Sequence, residues 1–184
     1  MRKLIYGINL TLDGCCDHTK QMANEEIHDY FTQILLDADT LVYGRITYQL
    51  MVPFWPDMAK SKSGTRSMID FAQAFDSVNQ IVVFSKTLNK PSGNKTRIIR
   101  GNLQDEILKL KQEQGKNILI GGVDVPSQLI EPGLIDEFHF VIHPMVAGEG
   151  RRLFDRTTLQ ASPQLKLTDT KILKSGHVAL RLLV

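Results

Sequence analysis

The sequence of 184 residues contains only two cysteines, Cys15 and Cys16, and they are adjacent. Neighbouring cysteines form at best a strained disulfide, and no third cysteine exists to pair with either of them. A disulfide framework is thereby excluded, and a reducing compartment suits the chain better than a secreted one. We therefore expect a cytoplasmic protein.

Long apolar runs are also missing. The first ten residues open with basic side chains, as a signal peptide does, but Asn9 interrupts a short apolar run, which predicts a β-strand instead. No stretch approaches the roughly 18 apolar residues that span a bilayer. We expect no membrane partner.

Neither sign of charge dominates, because 22 Lys and Arg residues face 20 Asp and Glu residues, for a net charge of +2. This balance gives no reason to expect nucleic acid as a partner. Hydrophobic residues make up 42% and charged residues 23%, which is an ordinary globular mixture. A chain of this length is expected to fold as a single domain, 1–184.

Apolar strands alternate with amphipathic helices along the chain. Strands are expected at 4–10, 40–43, 80–84, 96–100, 117–120 and 137–143, before a hairpin of 164–173 and 177–184. Helices are expected after Asn24, over 46–52 with Pro53 as the stop, over 65–74, after Asn102 and after 121–122. The pattern predicts an α/β fold with three layers, α/β/α, and a mixed, mostly parallel sheet that ends in an antiparallel hairpin.

Two strand ends carry groups suited to an anion. Gly44 allows a sharp turn, and Arg45, the Thr47 hydroxyl and the free N–H groups of the next helix can all point at a phosphate. Gly121 and Gly122 let backbone N–H groups approach without a Cβ in the way. For either segment alone, an ordinary tight strand-to-helix turn is the favoured explanation. Neither segment matches the GxGxxG dinucleotide fingerprint or the Walker A loop.

A series of motifs resembles the dihydrofolate reductase-like superfamily, especially the bacterial branch related to the C-terminal reductase domain of the riboflavin-biosynthesis deaminase-reductase. The segments that carry this resemblance are TLDG at 11–14, DTLVYGRITY at 39–48, SKTL at 85–88, GG at 121–122, LIDE at 134–137 and PMVAGEG at 144–150. They follow one another from the first strand to Phe154, whereas the C-terminal hairpin agrees in pattern only. The resemblance also implies a homodimer.

The resemblance implies an oxidoreductase with NADPH as its cofactor. By this likeness Gly44, Arg45 and Thr47 would hold the cofactor phosphates, and Ser85 would bind near the adenosine 2′-phosphate. The double glycine at 121–122 would cradle the pyrophosphate. The cofactor itself carries the hydride, so the protein needs only to orient a planar heterocycle against it.

The candidates for catalysis are two carboxylates. Dihydrofolate reductases carry an acidic residue at the start of the first helix, and Glu26 is the candidate here, together with Asp13 of the TLDG motif. Glu25 and Glu26 are equally explained as first-turn residues that offset the helix dipole. Ile27 and His28 occupy the spacing that aligns best with that acidic position.

The substrate is expected to be a pteridine- or pyrimidine-like small molecule. Trp55 is either a core residue or a lid over this substrate. Ile120 stands where the riboflavin reductases usually have Glu, which weakens the case for their phosphoribosylamino-pyrimidine substrate. Two alternatives stay open: the 5-amino-6-(5-phosphoribosylamino)uracil reductase of riboflavin biosynthesis, and a non-catalytic NADP-binding module.

No metal site is expected. His139 and His143 share a strand face, but nothing nearby in the sequence completes a ligand set, which favours a pair on the sheet surface. A homodimer is expected from the last strand, where Leu180, Leu182 and Val184 would expose an apolar edge in a monomer.

Overall fold

An eight-stranded sheet lies at the centre of the computed structural model, which describes residues 1–21, 23–155, 159–160 and 163–184. The strands are β1 (Leu4–Thr11), β2 (Ala38–Gly44), β3 (Gln80–Phe84), β4 (Thr96–Ile99), β5 (Asn117–Ile120), β6 (Glu137–His143), β7 (Lys166–Ile172) and β8 (Val178–Leu183). Their spatial order is β4-β3-β2-β5-β1-β6-β8-β7. Strands β1 to β6 run parallel, and β8 is antiparallel to both β6 and β7.

Helices cover both faces of this sheet. They are α1 (Glu25–Leu36), α2 (Arg45–Ser61), α3 (Arg66–Ser77), α4 (Leu103–Gln112) and α5 (Asp124–Ile130). Successive residues of β2 face opposite sides, so Leu41 and Tyr43 join one buried cluster with α1, α2 and α3, while Val42 joins another with α4 and α5. The predicted three-layer α/β/α architecture with a mixed sheet is confirmed. No helix in the described part of the chain has both the length and the apolar character needed to cross a bilayer.

Side-chain caps set the starts of three helices. The Asn24 side chain accepts a hydrogen bond from the Ile27 N–H at 3.0 Å, and Asn102 accepts one from the Asp105 N–H at 3.1 Å. Thr65 plays the same part for α3. Each cap satisfies a backbone donor that the helix itself leaves free, and this requires only local sequence.

Helix α2 does not end at Pro53, contrary to the sequence expectation, but runs through Pro53 and Pro56 to Ser61. An interior proline costs a helix about 3 kcal/mol because it removes a hydrogen bond. Val52 and Trp55 are buried against α3, and burying a large apolar side chain stabilises by roughly 1.5–3 kcal/mol. Packing against α3 therefore stabilises α2 in spite of its two prolines.

The C-terminal hairpin is arranged differently from the expectation. Strand β8 is paired on both sides, with β6 and with β7, so its apolar residues do not form a sheet edge. The edge strand at this end of the sheet is β7, whose seven residues are all exposed and mostly polar. The predicted apolar sheet edge at β8 is therefore wrong, and it gives no reason to expect a homodimer.

Candidate functional site

A cavity of about 990 Å³ lies at the carboxyl ends of β2, β3, β4 and β5 and continues between the sheet and helices α1, α2 and α3. Ligands of open α/β sheets gather at this edge. The cavity has two chemically different parts. Its polar end is lined by Gly44, Arg45, Thr47, Ser85, Lys86, Arg100, Gly121 and Gly122, and its aromatic end by His28, Phe31, Leu35, Leu50, Met51, Phe54, Trp55 and Phe71.

The turn after β5 presents bare backbone to the polar end. Gly122 has a φ of +87°, which side-chain-bearing residues rarely adopt, and a Cβ there would collide with the Thr47 Oγ1. A Cβ on Gly121 would lie 3.1 Å from the Tyr43 ring. The Thr47 hydroxyl itself has no hydrogen-bond partner among the described residues. The turn and this hydroxyl together form a cradle that a side chain would fill.

The start of α2 forms the neighbouring wall. Gly44 is the N-cap residue of this helix and offers no side-chain acceptor, so the first-turn N–H groups keep their bonding capacity for a ligand. A Cβ on Gly44 would lie 3.2 Å from Val125 of α5, so close packing also requires glycine here. Arg45 is exposed and uses one nitrogen to donate to the Gln49 Oε1 at 2.9 Å.

Lys86 and Arg100, at the ends of β3 and β4, add further positive charges to the polar end. The Ser85 Oγ accepts hydrogen bonds from the N–H groups of Thr87 and Leu88, at 3.2 and 2.9 Å, which shapes the turn after β3. Arg100 donates to the Leu88 carbonyl at 2.8 Å. Arg100 was not predicted as a site residue, because its position was assigned to a strand. The sequence pattern that marks Arg45 as a site residue, a basic residue directly after a parallel strand, is also present at Arg100.

Aromatic rings form the other end of the cavity. The Trp55 ring is tilted against Phe71 and lies edge-on to His28, with ring centroids 4.5 and 5.7 Å apart, and only 9% of the Trp55 surface is exposed. Trp55 is therefore both a core residue and a wall of the cavity. Gly7 of β1 leaves room for this wall, because a Cβ there would lie 3.0 Å from the Phe31 ring.

Glu26 does not lie among the described residues of the cavity. Its carboxylate accepts hydrogen bonds from the backbone N–H groups of Lys174 and Ser175, at 3.0 and 2.8 Å, in the turn between β7 and β8. The bonds from Ser175 and Lys174 lower the pKa of Glu26. The geometry thus gives Glu26 a structural part, joining α1 to the hairpin, and no support as a catalytic residue.

Asp13 is likewise engaged outside the described cavity lining. It accepts hydrogen bonds from the Thr11 hydroxyl at 2.6 Å and from the N–H groups of Ala147 and Gly148 at 3.0 Å each, and Arg152 lies 3.2 Å away. These bonds, that of Thr11 first, hold the pKa of Asp13 well below its usual range. Asp13 therefore anchors the loop after β6, and the geometry does not support a catalytic part for it either.

The predicted surface histidines of β6 are in fact buried. The His139 ring lies 2.7 Å from both the Tyr30 hydroxyl and the Glu137 carboxylate. His143 is 2% exposed and lies 3.2 Å from the ring of His177. No group of three or more potential metal ligands comes together within the described ranges.

Comparison with solved structures defines the class of fold. The chain matches the dihydrofolate reductase from Enterococcus faecalis, complexed with NADP(H), with a TM-score of 0.61 at 14% identity, over 98% of this chain and 95% of that one. It also matches the diaminohydroxyphosphoribosylaminopyrimidine deaminase/5-amino-6-(5-phosphoribosylamino)uracil reductase from Thermotoga maritima, with a TM-score of 0.70 at 14% identity, over 99% of this chain and 56% of that one. The fold is that of the dihydrofolate reductase-like reductases.

The sequence comparison then gives the family. The RibD C-terminal domain matches residues 2–180. The protein YyaP of Bacillus subtilis (strain 168) is 32% identical over 181 residues, which cover 96% of this chain and 92% of that protein. The chain belongs to the RibD C-terminal domain family, and the resemblance found in its motifs is confirmed.

Proposed function

We propose that this protein is an NADPH-dependent reductase of a small heterocyclic molecule. One observation carries the proposal: basic side chains follow three adjacent strands, β4, β3 and β2, and lead to the bare glycine turn after β5. Such a track of cations and N–H donors suits a ligand with several phosphates. The solved dihydrofolate reductase with the same fold is complexed with NADP(H).

The residues of the polar end fit this cofactor. The cradle formed by Thr47 and the turn at Gly121–Gly122 would hold the pyrophosphate, together with the first-turn N–H groups of α2. Arg45, Lys86 and Arg100 would bind the 2′-phosphate. Ser85 would hold the turn after β3, which carries Lys86. A bound reduced nicotinamide supplies a hydride, which the protein's own groups need only direct.

The aromatic end suits the substrate, since flat rings stack well between aromatic faces. A pteridine- or pyrimidine-like substrate is therefore proposed. The family match keeps 5-amino-6-(5-phosphoribosylamino)uracil as an alternative substrate. The engagement of Glu26 and Asp13 in structural bonds favours a second alternative, a module that binds NADP without catalysis.

Calorimetric titration of NADPH tests the cofactor proposal. A hydrogen bond to a charged group such as the pyrophosphate contributes about 1.5–3 kcal/mol, so Thr47→Val should weaken NADPH and NADH alike by roughly 10- to 150-fold. Thr170→Val, on the exposed edge strand, is the matched control and should change neither affinity. Failure of the unmodified protein to bind NADPH would refute the proposal. Binding with no oxidation of NADPH by dihydropterins or the riboflavin pyrimidine would favour the non-catalytic module.

We further propose a homodimer and a reducing compartment. One side of β7 pairs with no other described strand, so a second copy could pair with the backbone on that side. Cys15 and Cys16 are both free thiols, and burial raises the pKa of Cys16 to about 11, so that it resists oxidation. Sedimentation at tens of micromolar should give twice the chain mass of 20.8 kDa, and a monomer would contradict the dimer.

A further inference from the structure

His28 is the one polar side chain in the aromatic end of the cavity as defined above. Its ring contacts Trp55 and Phe71, with centroids 5.7 and 6.0 Å apart. Neither ring nitrogen has a hydrogen-bond partner among the described residues, although the side chain is half-buried. Both ring nitrogens of His28 are therefore available to a ligand in the cavity, one as a donor and one as an acceptor in the neutral ring.

The reaction needs a proton at this end. When a carbon–nitrogen or carbon–oxygen double bond receives a hydride at carbon, its heteroatom takes up one proton. Asp13 and Glu26 are engaged elsewhere, as described above. Asp17 reaches the cavity, but it accepts bonds from the Thr19 N–H and hydroxyl at 2.9 and 2.7 Å. The imidazole of His28 has both nitrogens available.

We propose that His28 binds the heteroatom of the reducible double bond and gives it the proton, and that the substrate is a flat heterocycle without phosphate. This rests on the reductase function proposed above. In the step, the π bond of the substrate breaks as hydride adds to carbon, an N–H bond of protonated His28 breaks, and a hydrogen–heteroatom bond forms. The substrate gains two electrons, which the reduced nicotinamide loses, and the imidazole is reprotonated from water.

The absence of phosphate follows from the distribution of cations. The arginines and lysine that line the described cavity are Arg45, Lys86, Arg100 and Arg151. The first three lie at the polar end, where the cofactor phosphates are proposed. Arg151 is already paired with Asp124 at 2.5 Å. The aromatic end therefore offers a phosphate no available arginine or lysine among the described residues, whereas the polar end offers three.

The surroundings of His28 favour its neutral form when no ligand is bound. Burial lowers its pKa, while Asp29 and Glu25 on the same helix oppose this effect. Helices α2 and α3 present Trp55 and Phe71 to the ring, and neither side chain carries a charge. Asp17 and His18 reach the same cavity from the loop after β1. A substrate heteroatom that accepts a bond from protonated His28 should raise the pKa of His28.

The pKa of His28 can be measured by NMR on protein labelled at histidine Cε1 and saturated with NADP⁺, which cannot deliver a hydride. The His28 signal is the one of the five histidine signals that disappears in His28→Gln. We expect pterin, 7,8-dihydropterin or quinazolin-4-one to raise the His28 midpoint by about half a unit or more, and uridine 5′-monophosphate to leave it unchanged. No shift with any of the three flat probes, or a shift with the nucleotide, would overturn the inference.

Turnover provides a second readout. His28→Gln keeps a hydrogen-bond donor but cannot release a proton, so kcat for any probe that is reduced should fall by about 100-fold or more. The NADP⁺ affinity should stay within about twofold, because His28 lies outside the polar end. His177→Gln is the matched control and should keep full turnover. If NADP⁺ does not bind the unmodified protein, the proposed reductase function is wrong. If NADP⁺ binds and His28→Gln keeps full turnover, only the proposed role of His28 as proton donor is wrong.

Discussion

Replacement of Arg45 by alanine should separate NADPH from NADH. The two nucleotides differ only in the 2′-phosphate, and Arg45 opens α2 beside the ends of β3 and β4, which carry Lys86 and Arg100. A hydrogen bond to a charged group contributes roughly 1.5–3 kcal/mol. Arg45 is exposed and water screens its charge, so the lower part of that range applies.

The expected loss for NADPH is therefore about 1.5–2 kcal/mol, which is roughly 10- to 30-fold in the dissociation constant. NADH should lose less than about threefold, since it has no phosphate for Arg45 to hold. Two calorimetric titrations on Arg45→Ala measure both values. Gln49→Ala removes the hydrogen-bond partner of Arg45 but leaves its charge, and should bind NADPH normally. Equal losses for the two nucleotides would mean that Arg45 serves the pyrophosphate or the fold, and a native preference for NADH would refute the assignment of NADP.

Three further predictions concern a glycine, a carboxylate and a histidine. Gly122→Val should abolish NADPH binding and also lower Tm, because the φ of Gly122 is positive and the cradle has no room for a Cβ. The control Gly93→Ala, at a similarly positive φ but in open space, should lower Tm slightly and keep NADPH binding. A Gly122→Val protein that binds NADPH normally would refute the cradle. Glu26→Gln should lower Tm and leave NADPH turnover intact, because its carboxylate holds the hairpin; lost turnover at unchanged Tm would restore it as a catalytic candidate. Burial, with His177 nearby, lowers the pKa of His143 to about 4. Below its ordinary pKa of about 6.5 the unfolded chain takes up a proton that the folded chain refuses, so stability falls as pH drops from about 6.5 to about 4, by up to about 3 kcal/mol. Urea unfolding at pH 7 and pH 4.5 should show a smaller loss for His143→Gln than for the native chain, and equal losses would contradict this account.

The order and type of the secondary elements were predictable because they depend on neighbours in the sequence. Strands β3, β5 and β6 were predicted with the boundaries observed, since each is a short apolar run between polar residues. The N-caps Asn24 and Asn102 were predicted correctly because each bonds to a backbone group three residues further on. The start of helix α2 was predicted within one residue, but its end was not, since only its contacts with α3 compensate for the prolines.

The cavity was predictable in part for the same reason. Gly44 and the double glycine at 121–122 stand out because a strand meets a helix at each of them. Parallel strands then bring their carboxyl ends to one edge, so the prediction that these residues share a site followed from fold class alone. Arg100 did not stand out, because it was assigned to the strand itself, which ends one residue earlier at Ile99.

Which carboxylates are available for chemistry was decided by the tertiary structure alone. By sequence Glu26 lies in the first turn of α1, where a catalytic acid and a dipole-compensating residue look the same. Only the folded chain brings Lys174 and Ser175, about 150 positions away, to its oxygens, and Ala147 and Gly148 to those of Asp13. The same holds for His28, whose aromatic surroundings come from two other helices, α2 and α3. Local sequence determines which elements form, whereas a side chain's partners depend on how distant elements pack, because burial and hydrogen bonding act through space and not along the chain.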